Sequence, residues 1–381
     1  EVQTWQSSIS GGVGYYANIR STVDSEQRSK AIIVLSSKAL VANQAALTDL
    51  LFETFNDVRF DEVQRLREIM DQISARRESS ITGQGHVLAM ALASSGMSPT
   101  AQLSHRFTGL AGINTLRALS KAIKSDDQAK ALLGKFQAIH EKLKQAPKRV
   151  LLVAEEAAQQ SVTETLAQRW RDASAPSVGF QGLILPERRE QVRQIWTTNT
   201  QVNFCAKAYP TVPSAHPDHA ALSVLGGVLR NGFLHRTIRE QGGAYGGGAD
   251  QDGNSASFRF YSYRDPRLAE TLKDYDRAID WLLSGNPDVS LVEEAILGVI
   301  SSMDKSTSPA GEAKQAFYNE LFGRTREHRL HYRKQVLETQ LADLQRVASQ
   351  YLLPEKASIG LISNSSRIDQ VKDLHLDIHS V

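Results

Sequence analysis

The sequence predicts a mixed α/β fold arranged as two similar domains, and three observations lead to this prediction. The composition, 41% hydrophobic and 23% charged over 381 residues, is typical of an ordinary globular protein and argues against intrinsic disorder. Short stretches rich in β-branched or aromatic residues alternate with stretches whose apolar residues recur at helical spacing. Finally, residues 148–166 and 356–374 share one pattern of buried strand, short turn and amphipathic helix, which suggests duplication of one α/β domain.

The first half of the chain is predicted to contain both strands and helices. Its predicted strands are residues 13–20, 31–36 and 149–153. The first helix is predicted from one apolar face formed by Val63, Leu66, Ile69, Met70 and Ile73. Further helices are predicted at residues 80–98, 112–122, 127–145 and 155–171.

The second half of the pattern begins after a stretch rich in proline and glycine at residues 173–190, which is typical of a linker. A strand is predicted at 195–208 and another at 357–362, with helices near 221–229, 268–282, 292–303 and 367–374. Asp265-Pro266 and Ser308-Pro309 are each predicted to begin a helix, because proline suits the first helical position after a capping side chain. We therefore expect domains at 1–172 and 193–381, joined by a linker at 173–192.

Charge, cysteine content and hydropathy narrow the classes of function. The formal net charge of +2 weakens the case for nucleic-acid binding, and no apolar run approaches the length of a membrane-spanning helix. The single cysteine, Cys205, excludes an intramolecular disulfide and is expected to be buried and structural. The first residues lack an initiator Met and a signal-peptide pattern, so we expect the chain to begin inside a longer gene product, in a compartment left open.

Common catalytic motifs are absent from the sequence. Neither HExxH nor HxxEH occurs, and His140-Glu141 is followed by Lys144 and Gln145, so a second ligand is missing there. The pairs His216/His219 and His328/His331 are expected to be surface or capping residues, so no metal is expected in this chain. A GxSxG elbow and a GxxxxGK[ST] phosphate loop are also missing. Residues 12–17 match a dinucleotide pattern but continue as a strand, which leaves a nucleotide-dependent enzyme as a weak third interpretation.

The most unusual segment spans residues 229–248. Five of the seven residues from Gly242 to Gly248 are glycine, with Tyr245 among them, and such a run can accept an extended peptide along an exposed strand edge. Arg239 and Tyr245 carry hydrogen-bond donors suited to a carbonyl oxygen that gains negative charge. A flexible glycine turn with an incidental tyrosine explains the composition equally well.

The segment RNGFLHRTIREQGGAYGGG (230–248) resembles the second-half signature of the pitrilysin/insulinase family of zinc metallopeptidases, in its presequence-protease (falcilysin-like) branch. Residues 36–55, 60–73 and 79–99 resemble the third domain of that branch, so the resemblance covers nearly the whole chain. It implies an α+β two-layer fold in which each of the two domains is a mostly antiparallel sheet packed with helices. Full-length members have four such domains around a closed peptide chamber, and this chain resembles the third and fourth.

The resemblance also implies how the chemistry is divided. Arg239 and Tyr245 would contact the peptide and the tetrahedral oxyanion, with the substrate lying along Gly242, Gly243, Ala244 and Gly246. Zinc, its ligands and the general base would come from the N-terminal zinc-bearing half, so this chain alone is expected to be inactive. No role for His86 is implied, and we expect a core or capping histidine.

Two functions from different classes remain open at this point. The first is the non-zinc half of a peptidase that hydrolyses unstructured oligopeptides. The second is a non-catalytic subunit that encloses substrate and assembles a partner. No nucleic-acid or membrane partner is expected for either function.

Overall fold

Two β-sheets organise the protein, whose computed structural model describes residues 2–171, 180–285 and 287–381. The strands are β1 Val13–Thr22, β2 Ser25–Ser37, β3 Arg193–Thr197, β4 Phe204–Pro210, β5 Gly246–Asp252, β6 Ser257–Tyr263, β7 Ser358–Ser363 and β8 Asp377–Ser380. β1 and β2 form an antiparallel hairpin. The other six form one sheet in the order β5-β6-β4-β7-β3-β8, antiparallel from β5 to β7 and parallel from β7 to β8.

Helices make up most of the remaining structure. The α-helices are α1 Val2–Ile9, α2 Gln44–Asn56, α3 Val63–Gly83, α4 Gly85–Ala93, α5 Pro99–Phe107, α6 Leu110–Ala122, α7 Asp126–Lys144, α8 Glu156–Trp170, α9 His219–Leu229, α10 Ala269–Ser284, α11 Val289–Met303, α12 Pro309–Leu321, α13 Arg326–Glu338 and α14 Leu341–Tyr351. A π-helix, Arg230–Gln241, continues directly from α9, and short 3₁₀ helices occur at Val41–Asn43, Pro354–Lys356 and Ser365–Leu374. Among the described residues, no helix is both long and apolar enough to cross a bilayer.

The central strands of the six-stranded sheet are buried on both faces, and the alternation of side chains along β4 shows how. Phe204, Ala206 and Ala208 point to the face covered by α4, where they join one hydrophobic cluster. Cys205 and Tyr209 belong to the opposite cluster, which is built with α9, α10 and α14. A helix from the first part of the chain therefore closes one face of a sheet built entirely from the second part.

The predicted mixed α/β fold class is confirmed, as are the strands near 13–20, 31–36 and 357–362. The predicted cap Ser308-Pro309 is also confirmed, since the Ser308 hydroxyl accepts a hydrogen bond from the Gly311 backbone N–H at 3.2 Å. The two parts differ in strand content, because the hairpin contributes two strands and the second sheet six. Positions 173–179 of the predicted linker lie outside the described residues, while 180–192 contain no helix or strand.

Several predicted elements are wrong in detail. Residues 149–153 form no strand and pair with none of the described strands, so Val150 stays 63% exposed. The strand predicted over 195–208 is two strands, β3 and β4, which lie on either side of β7.

Helix ends also differ from the predictions. The helix predicted over 80–98 is interrupted at Gln84, and that over 367–374 is a 3₁₀ helix from Ser365. Asp265 does not cap α10, which begins at Ala269. The carboxylate of Asp265 instead accepts hydrogen bonds from the Arg267 backbone N–H at 2.9 Å and from the Thr271 hydroxyl at 2.7 Å.

Candidate functional site

The candidate site begins on the π-helix that follows α9. Its buried side is formed by Leu234, Thr237 and Ile238, while Arg239 lies on the exposed side. Gly232 faces the ring of Trp281 on α10 so closely that any side chain at 232 would overlap it. π-helices are rare, and they occur frequently at functional sites.

A tight turn, residues 242–245, connects the π-helix to the edge strand β5. The backbone N–H of Gly243 donates to the Arg239 carbonyl, and that of Ala244 donates to the Ile238 carbonyl, both at 3.1 Å. Gly243 has φ of +78°, a conformation that glycine adopts without strain. The Arg267 guanidinium occupies the space where a side chain at Gly242 would lie. The turn therefore needs its glycines, and its geometry is closely determined.

Arg267 fixes this turn from inside the protein. Its guanidinium donates to the Thr237 carbonyl at 3.3 Å and forms an ion pair with the buried Asp274 at 3.0 Å. Its backbone N–H donates to the Asp265 carboxylate. Burial raises the pKa of Asp265, although the hydrogen bonds that this carboxylate accepts act in the opposite direction. The role of Arg267 could not be predicted from the sequence, because its contact with Thr237 joins residues 30 positions apart.

Arg239 presents a guanidinium without a carboxylate partner. Among the described residues, no carboxylate lies within 4.0 Å of it, and its hydrogen-bond partner is the Nε2 atom of His235 at 3.4 Å. The Nδ1 atom of His235 lies 3.4 Å from the Glu240 carboxylate. Since the guanidinium can only donate, the Nε2 atom of His235 is the acceptor in this contact. Glu240 lies beside the histidine, and Arg239 keeps its remaining donors for a ligand.

Tyr245 projects from the turn into solvent, with 69% of its side chain exposed. Its backbone N–H donates to the Tyr263 carbonyl at 3.1 Å. Its ring meets the Tyr263 ring edge-on, with centroids 5.4 Å apart and planes at 88°. Within the described part of the chain, the Tyr245 hydroxyl forms no hydrogen bond, so this donor is also available.

The edge strand β5 supplies the surface beside these two side chains. It has one neighbouring strand, β6, so its other backbone edge is not paired within the sheet. Apart from its chain neighbours, no atom lies within 4 Å of the position that a side chain would take at Gly246. At Gly247 the same position is only 2.9 Å from Ile238. The open space is therefore at Gly246, next to Tyr245.

A metal site does not fit the residues that surround this turn. No group of three or more His, Cys, Asp or Glu side chains that could hold a metal ion occurs in the described ranges 2–171, 180–285 and 287–381. Near Arg239 the available metal donors are only His235 and Glu240, which are engaged with each other. The site is a set of hydrogen-bond donors beside a strand edge. A set of donors of this kind can stabilise negative charge that develops on an oxygen atom.

Two family models match the chain. A model for a domain associated with peptidases of the M16 family, subfamily C, matches residues 1–119, and the model described as "PreP C-terminal domain" matches residues 193–358. The second match includes the π-helix, the turn and β5.

Curated relatives and solved structures agree with these models. The mitochondrial presequence protease of Danio rerio is 29% identical over 84% of this chain and 33% of its own length, and that of Xenopus laevis is 27% identical over 92% and 36%. The chain thus spans about a third of the length of these relatives.

Among solved structures, pitrilysin matches with a TM-score of 0.57 and 15% identity, over 92% of this chain and 36% of that one. A peptidase M16 inactive domain from Pseudomonas fluorescens also matches with a TM-score of 0.57 and 15% identity, over 96% and 83%. At such identities these structures establish the fold alone. The two models and the curated relatives support the identification of this chain as a presequence-protease-like C-terminal half of the M16 peptidase type.

Proposed function

We propose that this chain supplies substrate and oxyanion contacts to a zinc metallopeptidase that hydrolyses unstructured oligopeptides within a closed chamber. The observation that carries the proposal is a pair of donors beside an open strand edge, Arg239 near the end of the π-helix and Tyr245 in the turn that follows. Among the described residues, neither donor is engaged by a carboxylate. The names of the relatives, presequence proteases, support a peptide as the substrate.

An extended peptide suits the open edge of β5. Edge strands carry unpaired N–H and C=O groups that can pair with an added strand, independently of the sequence of that strand. Space at Gly246 lets the peptide backbone approach, and Gly243 is exposed beside it. Gly242 and Ala244, which were also expected to line the substrate, are buried and would shape the turn rather than contact the peptide. Sequence-independent pairing of this kind suits a peptidase that accepts many unstructured substrates.

Arg239 and Tyr245 would act on the carbonyl under attack. The guanidinium N–H groups and the phenolic O–H donate hydrogen bonds, which become stronger as negative charge develops on the carbonyl oxygen. Because neither group is engaged by a carboxylate, no existing ion pair has to break first. The zinc ion, its ligands and the general base would come from an N-terminal zinc-bearing half, since the described residues around this turn do not fit such a site. We propose that the chain alone is therefore inactive.

Cleavage of a quenched fluorescent, unstructured peptide tests the proposal. We expect no activity from this chain alone and chelator-sensitive activity after the zinc-bearing half is added. Chelator-sensitive activity of the chain alone would contradict the division of roles. A stable but inactive complex would instead favour a non-catalytic scaffold subunit.

Substitutions then test the two donors in the active assembly. Tyr245→Phe should lower kcat on the order of 10²–10³-fold, the usual cost of losing one oxyanion donor, without changing the fold. Arg239→Ala should lower kcat/KM. Tyr15→Phe, at a tyrosine 51% exposed on β1, and Arg236→Ala, at an exposed position of the same π-helix, are the matched controls. Turnover by Tyr245→Phe equal to that of these controls would remove Tyr245 from the mechanism.

A further inference from the structure

Three rings from distant parts of the chain stand in a row beside the candidate site. Tyr245 lies in the turn, Tyr263 at the end of β6 and His86 in the first turn of α4. The Tyr245 and Tyr263 centroids are 5.4 Å apart, and those of Tyr263 and His86 are 4.6 Å apart. We propose that Tyr263 is a positioning residue for Tyr245, and that His86 holds Tyr263 in place from the other side. The catalytic part of this inference rests on the proposed function.

Tyr263 is far better held than the residue that it contacts. Its hydroxyl donates to the Gly83 carbonyl at 3.2 Å, and its ring contacts Phe204 with centroids 5.9 Å apart. Its backbone lies opposite Gly246 in the β5–β6 register. Tyr245, in contrast, is 69% exposed, and the aromatic ring that its own ring contacts within the described structure is that of Tyr263. The direction of the Tyr245 side chain therefore depends on the Tyr263 ring.

His86 is placed by packing rather than by hydrogen bonding. Its Nδ1 atom is buried and has no hydrogen-bond partner among the described residues. Burial lowers the pKa of His86, which keeps the ring neutral and suited to contact with aromatic rings. The ring also lies 5.7 Å from that of Tyr261, two residues before Tyr263 on the same face of β6.

The helix that carries His86 cannot shift easily. Gly85 faces the Phe204 ring, and Gly360 on β7 faces the Ala89 carbonyl so closely that a side chain at either glycine would overlap its neighbour. α4 is thus seated on the six-stranded sheet at a fixed distance. Through His86, the first part of the chain reaches a site whose donors all come from the second part.

Orientation matters for an oxyanion donor because a small displacement of the reacting geometry can cost about 10²-fold in rate. A tyrosine that turns freely spends most of its time away from the carbonyl oxygen. Loss of the Tyr263 ring should therefore lower kcat more than it raises KM.

A double-mutant cycle in the assembled peptidase tests this coupling. Tyr263→Ala should lower kcat on the order of 10- to 100-fold. Tyr263→Phe, which keeps the ring, should stay within about threefold of wild type. In a Tyr245→Phe background, Tyr263→Ala should cost nothing further, because the group that it positions is gone. Equal losses in both backgrounds would show that Tyr263 does not act through Tyr245.

A measurement on this chain by itself separates the inference from the proposed function. In spectra of ring-¹³C-labelled tyrosine, assigned with Tyr245→Phe, the Tyr245 ring signals should be displaced by the neighbouring ring. They should move towards unstructured values in Tyr263→Ala and keep their positions in Tyr263→Phe. Tyr261→Leu, on the same face of β6 and also beside His86, should leave them unchanged.

Each outcome then has one meaning. Tyr245 ring signals that keep their positions in Tyr263→Ala would overturn the inference. Signals that move, combined with wild-type turnover by Tyr245→Phe, would retain the positioning and overturn the proposed function. Should Tyr263→Ala fail to fold, His86→Ala provides the second variant, with a smaller displacement in the same direction. No displacement in folded His86→Ala would overturn the role of His86.

Discussion

Two segments of this protein share one sequence pattern but differ in structure. Residues 148–166 and 356–374 each combine a short apolar run with a helix-like stretch. In the second segment the run is β7, all six residues of which are buried between β4 and β3. In the first segment the run is extended, exposed and unpaired within the described chain. An apolar run becomes a strand where neighbouring strands offer hydrogen bonds, which is a property of the whole fold.

The helical parts of the two segments differ in the opposite sense. The first segment ends in a regular helix, α8, which buries Ala158. The second continues as a 3₁₀ helix, Ser365–Leu374, which Asn364 caps by accepting from the Ser366 backbone N–H at 3.0 Å. Each segment thus forms one of the two predicted elements: the first forms the α-helix, α8, and the second forms the strand, β7. Similarity of pattern is therefore weak support for duplication, and the predicted domain boundaries stay a prediction.

The largest effect should come from removing aligned apolar side chains. Leu361→Ala in β7 should lower the free energy of unfolding by about 2–5 kcal/mol, because Leu361 is fully buried. The aligned Val153→Ala should change it by less than about 0.5 kcal/mol, because Val153 is 43% exposed. Urea unfolding followed by circular dichroism measures both. Similar losses at the two positions would mean that residues 149–153 are buried after all.

A second comparison uses glycines in the two parts of the chain. Gly360→Ala in β7 should cost about 1–3 kcal/mol, because its Cβ would lie 2.6 Å from the Ala89 carbonyl oxygen and 2.8 Å from the Ala93 backbone nitrogen. Gly134→Ala in α7 should instead stabilise by about 0.5–1 kcal/mol, because the space there is open and alanine favours helix. Opposite signs in the same urea assay would support the close seating of α4. A neutral Gly360→Ala would contradict it.

A third comparison concerns pH and the helix α5. Burial, with nearby His379 and Arg106, lowers the pKa of His105 from 6.5 to about 4. As the pH falls, His105 therefore takes up a proton in the unfolded chain before it does so in the folded chain. The contribution of neutral His105 to the free energy of unfolding is complete above pH 6.5 and is lost as the pH falls towards 4. His105→Gln should reduce the slope of the free energy of unfolding against pH by about 1.4 kcal/mol per pH unit in that range. His331→Gln, at an exposed position of α13, should keep the wild-type slope.

The sequence allowed local features of the fold and the site to be predicted, but not their long-range contacts. The helix predicted from the apolar spacing of Val63 to Ile73 and the Ser308-Pro309 cap depend on neighbouring residues, and both elements form. The apolar face itself is only partly buried, because Leu66 and Met70 are buried while Ile69 and Ile73 are each 38% exposed. The glycine-rich segment with Arg239 and Tyr245 was also visible as a local pattern. Arg267 and Tyr263, which fix that segment, were not, because each acts through contacts that only the folded chain creates. The alternating aromatics of β6 were the available signal for Tyr263.

The seating of α4 on the second sheet has a consequence for dividing this protein into pieces. A cut within residues 173–192 would follow the sequence but would remove the cover from Phe204, Ala206 and Ala208. The truncated piece would then present a bare apolar sheet face to water, which favours self-association over solubility. The smallest autonomous folding unit that retains Tyr245 is therefore discontinuous in sequence and includes α4 from the opposite side of the linker. The folding units of this protein are therefore defined by which layers pack together and not by the order of the residues along the chain.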